Sequence, residues 1–91
     1  MTYRSGSATL HSSGTPVGQT TITFSSPLAS ANYNVSYVFT SSVNFGSHMD
    51  SYLYVTSKTV NGFTFVLATS AGAAQNAPNG TTIDWVALPT N

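Results

Sequence analysis

The side chains best suited to recognition or chemistry cluster in two segments of this 91-residue chain. The segment Val43-Asn-Phe-Gly-Ser-His-Met-Asp50 combines an amide, an aromatic ring, an imidazole and a carboxylate, and segment 70–80 is small, polar and without periodicity. Amides hydrogen-bond to ligand hydroxyls, and an aromatic ring covers the apolar side of such a ligand. Both segments therefore predict binding of a neutral, polyhydroxylated ligand. The candidate ligand-binding residues are Asn44, Phe45, His48, Asp50, Gln75, Asn76, Asn79 and Trp85.

Simpler roles are open to the same residues. Either segment could be only a solvated connection, and Trp85 shares the strand parity of Ile83 and Ala87, which is typical of a core residue. His48 and Asp50 have a spacing that could supply two metal ligands, but two ligands per chain are too few to define a site. No metal and no other cofactor is therefore expected.

The sequence offers little for catalysis. It contains no Glu and no Cys, so a hydrolytic pair of carboxylates would have to be Asp50 with Asp84. A Ser–His–Asp arrangement would need His11 or His48, and no nucleophile-elbow motif accompanies either residue. A non-enzymatic protein is expected. Asp84 is expected instead to pair with a cation, Lys58 or Arg4, or to cap nearby backbone.

Charged residues are nearly absent from the chain. They make up 4% of the residues and the formal net charge is zero, whereas an ordinary soluble domain carries about 25% charged residues. The electrostatic footprint of a protein that binds nucleic acid or an anionic membrane is missing, and no apolar run approaches the ~20 residues of a membrane span. Neither nucleic acid nor membrane insertion is expected. The 28 Ser and Thr residues supply solubility instead, and few like charges oppose association between copies.

The elements that position these residues are predicted to be strands. Segments with a two-residue period, rich in β-branched and aromatic residues, recur along the chain, while a 3.6-residue period is almost absent. Between the fourth and fifth segments, Val60-Asn61-Gly62 predicts a tight hairpin in which Asn-Gly supplies residues of positive φ. The apolar positions of each segment fall on one side, which predicts a single domain over 1–91, a six-stranded antiparallel β-sandwich. The predicted core residues are Ile22, Phe24, Val35, Tyr37, Phe39, Leu53, Val55, Phe63, Phe65, Leu67, Ile83, Trp85 and Ala87. The predicted strands are 5–10, 19–25, 33–41, 51–59, 62–69 and 81–88.

The opposite sides of these strands also carry apolar residues. Patches of this kind commonly mark contact with another subunit. A small domain without disulfides would also be expected to gain stability by oligomerising. Self-association is therefore predicted. The outward apolar residues are Val38, Tyr52, Tyr54, Val66, Val86 and Leu88.

Three segments between Thr21 and Leu88 carry a resemblance to a known family. They read Thr21-Ile-Thr-Phe-Ser-Ser-Pro-Leu, Thr59-Val-Asn-Gly-Phe-Thr-Phe and Gly80-Thr-Thr-Ile-Asp-Trp-Val-Ala-Leu. This order of an I-T-F-x-x-P strand, a hairpin leading into G-F-T and a closing W-x-A strand resembles the C-terminal receptor-binding domains of bacteriophage tail fibres. It is similar in pattern to the H-type lectin domains as well.

The resemblance implies an antiparallel sandwich that assembles as a homotrimer, or a trimer-based oligomer, and binds glycans. The expected function is then that of a tail-fibre tip on the virion, outside the cell, which recognises a cell-surface saccharide of the host. Residues 1–5 would lead in from a fibre shaft, and the chain would end as a terminal domain does, directly after its last strand. A trimerisation tip without a ligand and a free-standing H-type-like lectin are the alternatives.

Overall fold

A computed structural model describes residues 3–41 and 50–90 of the chain. The all-β prediction with six antiparallel strands is confirmed, and each strand begins and ends within two residues of its predicted bounds. Among the described residues no helix is long and apolar enough to cross a membrane. The strands are β1 (Arg4–Thr9), β2 (Gln19–Thr23), β3 (Tyr33–Phe39), β4 (Tyr52–Thr59), β5 (Gly62–Ala68) and β6 (Thr82–Pro89).

The strands form two three-stranded antiparallel sheets that pack face to face. Sheet A has the order β1-β6-β3, and sheet B has the order β2-β5-β4. The central strands contact each other through the Phe63 and Trp85 rings, whose centroids are 5.5 Å apart. Lys58 of β4 donates to the Tyr33 carbonyl of β3 at 2.9 Å, so these two edge strands lie on the same side of the sandwich. β1 and β2 form the opposite side.

The antiparallel arrangement sorts the connections between two ends. The described residues of three connections lie at one end, which we call the loop end: 10–18, 40–41 with 50–51, and 69–81. Connections 24–32 and 60–61 lie at the other, which we call the hairpin end. Segment 70–80 therefore lies at the loop end, as does Asp50, the described residue of the other segment predicted to carry recognition residues.

The predicted core is confirmed in most of its members, because alternate residues of each strand point between the sheets. Tyr37 differs: its side chain is 39% exposed although its parity directs it inward. It belongs to β3, an edge strand, so its ring lies at the open side of the sandwich, where it contacts Phe39 and Phe65. The buried core includes Leu10, Ile22, Phe24, Leu28, Tyr33, Leu53, Phe63, Phe65, Leu67, Ile83, Trp85 and Ala87.

The outward apolar residues are not equally available for contact with another subunit. Val66 is only 6% exposed, because it lies in the central strand of sheet B between Gln19 and Tyr54 of the neighbouring strands. Val86, in the central strand of sheet A, is half-buried. Val38, Tyr52, Tyr54 and Leu88 are exposed.

The predicted hairpin joins β4 to β5 through two residues, with Thr59 paired to Gly62. Gly62 has the expected positive φ, 156°. Asn61 does not have a positive φ, and this part of the prediction is wrong. Ser57, in β4, has a positive φ of 56° although it is not a glycine, and it lies in a bulge where the register shifts between Thr56 and Thr59. The bulge increases the local twist, so the turn does not need two consecutive residues of positive φ.

Candidate recognition site at the loop end

The three connections of the loop end are joined to one another by hydrogen bonds. Ala77 donates its backbone N–H to the His11 carbonyl at 2.9 Å, which links the third connection to the first. Thr82 donates its N–H to Ser41 Oγ at 3.0 Å, which links β6 to the second connection. The loop end is therefore a single hydrogen-bonded unit supported by both sheets.

Asp50 lies in this unit as an exposed carboxylate just before β4. Its Oδ2 accepts hydrogen bonds from the backbone N–H of Ser70, at 3.0 Å, and from the Ser70 hydroxyl. Hydrogen bonds to a carboxylate are stronger than neutral ones. The side chain thus fixes the start of the third connection while it still faces solvent.

Gln75 is half-buried behind this surface. Its backbone N–H donates to the Leu67 carbonyl at 3.0 Å, and its side-chain Nε2 donates to Ser51 Oγ. The amide oxygen, Oε1, is buried and has no hydrogen-bond partner within the described residues. A buried acceptor left unpaired costs about 1–3 kcal/mol, so an ordered water would be favoured at this position.

Asn76 holds the third connection against the first. Its Oδ1 accepts the Gly18 N–H at 2.8 Å, and its Nδ2 donates to the Gly14 carbonyl at 3.3 Å. The two segments approach so closely that a Cβ on Gly18 would lie 2.6 Å from the Gln75 carbonyl oxygen. Both polar atoms of the Asn76 side chain therefore contribute to the shape of the loop end.

Asn79 occupies the exposed turn before β6, beside Gly80, whose φ is 86°. Its position differs from those of Gln75 and Asn76, which are half-buried. Of the predicted site residues that the structure describes, Asp50 and Asn79 are exposed at the loop end. Gln75 and Asn76 are half-buried, and their hydrogen bonds to Ser51, Gly18 and Gly14 make them positioning residues.

Trp85 is separated from this group, since it is 8% exposed and packs in the core. Its ring centroid lies 5.8 Å from that of Phe24 and 5.5 Å from that of Phe63, and both of these residues adjoin the hairpin end. A Cβ on Gly6 would lie 3.0 Å from the indole Cζ2, so β1 also covers the ring. The remaining candidates, Asn44, Phe45 and His48, lie outside the described residues.

The other three charged residues form hydrogen bonds within the fold. Asp84 Oδ1 accepts a hydrogen bond from the Ser7 hydroxyl, and the predicted pairing with Lys58 or Arg4 is wrong. Lys58 and Arg4 instead donate to backbone carbonyls near the hairpin end, where Arg4 Nε lies 2.9 Å from the Ser26 carbonyl oxygen. Both cations are placed to join the sheets. The described part of the loop end carries one charge, that of Asp50.

The carboxylates considered for catalysis lie in different surroundings. Asp50 binds Ser70 at the loop end, whereas Asp84 lies on the outer face of sheet A beside Ser7 and opposite Val38. Within residues 3–41 and 50–90, no three His, Cys, Asp or Glu side chains are grouped so as to hold a metal ion. Neither observation adds a catalytic or metal-binding role to the site.

Sequence reasoning did not identify the partners that hold the site in shape. Ser51 and Ser70 contact the side chains of Gln75 and Asp50, and the backbone of Gly18 contacts Asn76. No sequence signal distinguishes these two serines, because hydroxyl residues occur throughout the chain. Gly18 carries a weak signal, since a glycine directly before a strand is typical of a turn with positive φ.

No protein-family model, curated protein or solved structure matches this chain significantly. The loop end is therefore the feature of the molecule from which a function can be inferred.

Proposed function

We propose that this protein is a non-enzymatic receptor-binding tip of a phage tail fibre that recognises a neutral cell-surface saccharide at its loop end. The single observation that supports this function is the arrangement of side chains and hydrogen bonds at the loop end. Three connections are held together there by neutral hydrogen-bonding groups and present Asp50 and Asn79 to solvent. The protein acts as a homotrimer exposed on the virion.

The chemistry of this surface suits a saccharide better than a charged ligand. Asp50 is its one charge among the described residues, and both cations of the chain are engaged near the hairpin end. A carboxylate accepts hydrogen bonds through two oxygens, and the amide of Asn79 can both donate and accept. Sugar hydroxyls supply the matching donors and acceptors.

The internal hydrogen bonds of the loop end lower the cost of binding. Loops that are ordered only on binding lose conformational entropy, whereas loops already held in place do not. Asn76 and Gln75 join the first and third connections to each other and to β4. The unpaired Gln75 Oε1 gives the site an acceptor that a water bridging to a sugar hydroxyl would satisfy.

Repetition of the site in a trimer compensates for its small size. A shallow site of a few hydrogen bonds corresponds to millimolar affinity, roughly 4 kcal/mol. Linking such sites raises the overall affinity by a factor on the order of 10² or more without any new contact. A surface that bears many copies of one saccharide is therefore the natural partner.

The proposal is tested by measuring binding of the trimer to a glycan array and to host cells. Asn79→Ala and Asp50→Ala should each abolish detectable binding. The matched control is Asn61→Ala, which removes an exposed amide at the hairpin end and should leave binding unchanged. Circular dichroism establishes that all three variants are folded. Binding that survives both loop-end substitutions, or that is lost in the control, would contradict the proposal.

A trimerisation tip without a ligand is the second candidate. This function is favoured because the Asn76 amide and the Gln75 Nε2 form hydrogen bonds within the fold. These bonds stabilise the loop end whether or not a ligand is bound. The same array separates the two functions, because a tip of this kind would form trimers and bind no saccharide.

A further inference from the structure

Two exposed aromatic rings lie in line on the outer face of sheet B. Tyr52 and Tyr54 are alternate residues of β4, so both side chains point away from the core, and they are 44% and 45% exposed. Their ring centroids are 6.0 Å apart, and the ring planes differ by 36°. Because Asp50 lies just before β4, this aromatic strip begins at the loop end and runs along the strand toward the hairpin end.

Hydroxyl groups continue the same face toward the hairpin end. Thr56 shares the outward direction of Tyr54, and the register places Thr64 and then Thr21 beside it across β5 and β2. The hydroxyl oxygens of Thr21 and Thr64 are 3.5 Å apart. Each hydroxyl both donates and accepts hydrogen bonds. The face therefore changes from aromatic to hydroxylated along the direction of the strands.

The hydroxylated part of the face surrounds a hollow of about 150 Å³ at Gly62. Gly62 contributes no side chain to fill this hollow, and β4 bulges beside it at Ser57. One ordered water needs only about 10–15 Å³, so the hollow has room for a larger polar group. Its polar walls are formed by Thr21, Thr23, Ser57, Thr59, Asn61 and Thr64.

The face is also neutral. Lys58 is the one charged residue of β2, β4 and β5, and its ammonium group donates to the Tyr33 carbonyl of sheet A. An ionic ligand would therefore find no partner on this face, and an apolar protein surface would leave the threonine hydroxyls without hydrogen bonds. A saccharide suits both parts of the face, because its C–H groups pack on aromatic rings and its hydroxyls pair with neutral hydroxyls and amides.

We propose that the outer face of sheet B is a second saccharide-binding surface, on which a linear neutral glycan lies along β4 from the loop end to the hollow at Gly62. This inference rests on the proposed function, because it extends the loop-end ligand from a single sugar to a chain. Tyr52 and Tyr54 stack on the sugar rings nearest the loop end, and Thr56 and the walls of the hollow bind hydroxyls farther along. From Tyr52 to Thr56 the face extends about 13 Å at the rise of a β-strand, which is longer than one sugar ring.

The inference is tested by the dependence of binding on the length of the glycan. The probes are linear neutral glucans, mannans and galactans, each offered in solution as the monosaccharide and as chains of increasing length. Titration calorimetry measures the affinity for each probe. The wild type should bind the longer chains of one series about ten-fold more tightly than its monosaccharide, because each stacked ring adds to the free energy of binding.

Substitutions of the two tyrosines locate this gain on sheet B. Tyr54→Ala should remove the gain and leave binding of the monosaccharide unchanged, whereas Tyr54→Phe keeps the ring and should retain the gain. Tyr52→Ala should act as Tyr54→Ala does, and it remains informative if that variant does not fold. The matched control is Tyr3→Ala, because Tyr3 is 56% exposed and lies outside sheet B. This control should bind every probe as the wild type does.

Three results would overturn the inference. The first is a wild-type affinity that does not rise with chain length in any series. The second is a gain that survives both Tyr52→Ala and Tyr54→Ala, or that is lost equally in the control. The third is a change of mass in the two variants, measured by light scattering, with unchanged saccharide binding, since the face would then contact another copy of the chain.

Asp50→Ala separates this inference from the proposed function. It should abolish binding at every length, because the chain is anchored at the loop end. Long chains that bind to Asp50→Ala but not to Tyr54→Ala would contradict the loop-end site and leave the surface on sheet B intact. Monosaccharide binding that requires Asp50, without any gain from length, would support the proposed function and overturn this inference.

Discussion

The phenolic oxygen of Tyr33 lies 2.7 Å from the carbonyl oxygen of Gly62, and this hydrogen bond ties β3 of sheet A to the β4–β5 hairpin of sheet B. The same hydroxyl lies 2.9 Å from the Thr59 carbonyl oxygen, so it shares one proton between two acceptors of the hairpin. Tyr33 is 1% exposed, and its ring meets that of Phe24 edge-on at 5.6 Å. One side chain thus contributes apolar packing and satisfies buried backbone at the hairpin end.

Removal of this hydroxyl should destabilise the fold. Tyr33→Phe keeps the ring but leaves the Gly62 carbonyl without its phenolic donor, and we expect the free energy of unfolding to fall by about 1–3 kcal/mol. Denaturant unfolding at neutral pH measures this change. Tyr3→Phe is the control, since Tyr3 is exposed, and it should change stability by less than about 0.5 kcal/mol. Equal effects of the two substitutions would show that the buried hydrogen bond is not important.

Stability should also depend on pH through the same phenol. Burial raises the pKa of Tyr33 above its ordinary value of 10.0, and the backbone contact with Thr59 partly offsets that rise. Because the folded state holds the proton more tightly, the stabilisation is complete below pH 10.0 and is lost as the pH rises through the folded-state pKa. Unfolding measured from pH 8 to about 12 should show this decline, and Tyr33→Phe should reduce its slope. Identical pH profiles would contradict the assignment.

Gly62 should tolerate no side chain. A Cβ there would lie 2.0 Å from the Ile22 carbonyl oxygen of the neighbouring strand, and φ is positive. Gly62→Ala should therefore lower the free energy of unfolding by about 3 kcal/mol through steric overlap and strain. Gly14→Ala separates the two causes, because Gly14 has φ of 75° but open space around it, and it should cost about 1 kcal/mol. Similar losses in both variants would show that the overlap is relieved by a small backbone shift.

Saccharide binding should depend little on salt. Asp50 is the one charge in the described part of the loop end, and a neutral ligand gives it no ionic partner. Binding to host cells measured between low and physiological ionic strength, about 0.15 M, should change less than two-fold. A steep decline over that range would show that recognition is electrostatic and that the ligand is charged.

The strands, the hairpin and most of the core could be predicted because they depend on local patterns. Alternation within β5, for example, directs Phe63, Phe65 and Leu67 to one side whatever the rest of the chain does. Tyr37 is an exception that local alternation does not predict. Its parity is that of a core residue, but its exposure depends on β3 being an edge strand, and strand order is a property of the whole sheet.

The candidate site illustrates the same division. Composition and loop position were enough to select Asp50, Gln75, Asn76 and Asn79, but they could not show which amides face solvent. Asn76 contacts Gly18, 58 residues away, and Asp50 contacts Ser70, 20 residues away. The sequence alone could not select these partners, because the chain contains many equivalent hydroxyl and backbone groups.

The sequence by itself determined that this protein is an all-β sandwich with a nearly uncharged surface. A two-residue apolar period favours a strand in each segment independently of the others, and the lack of charged side chains is a property of the composition. Only the tertiary structure decided that Trp85 lies in the core, that Asp84 binds Ser7, and that Tyr37 lies at an open edge of the sandwich. These features require segments distant in the chain to meet. In a chain with 28 Ser and Thr residues, the partner is selected by the packing of the two sheets and not by residue type.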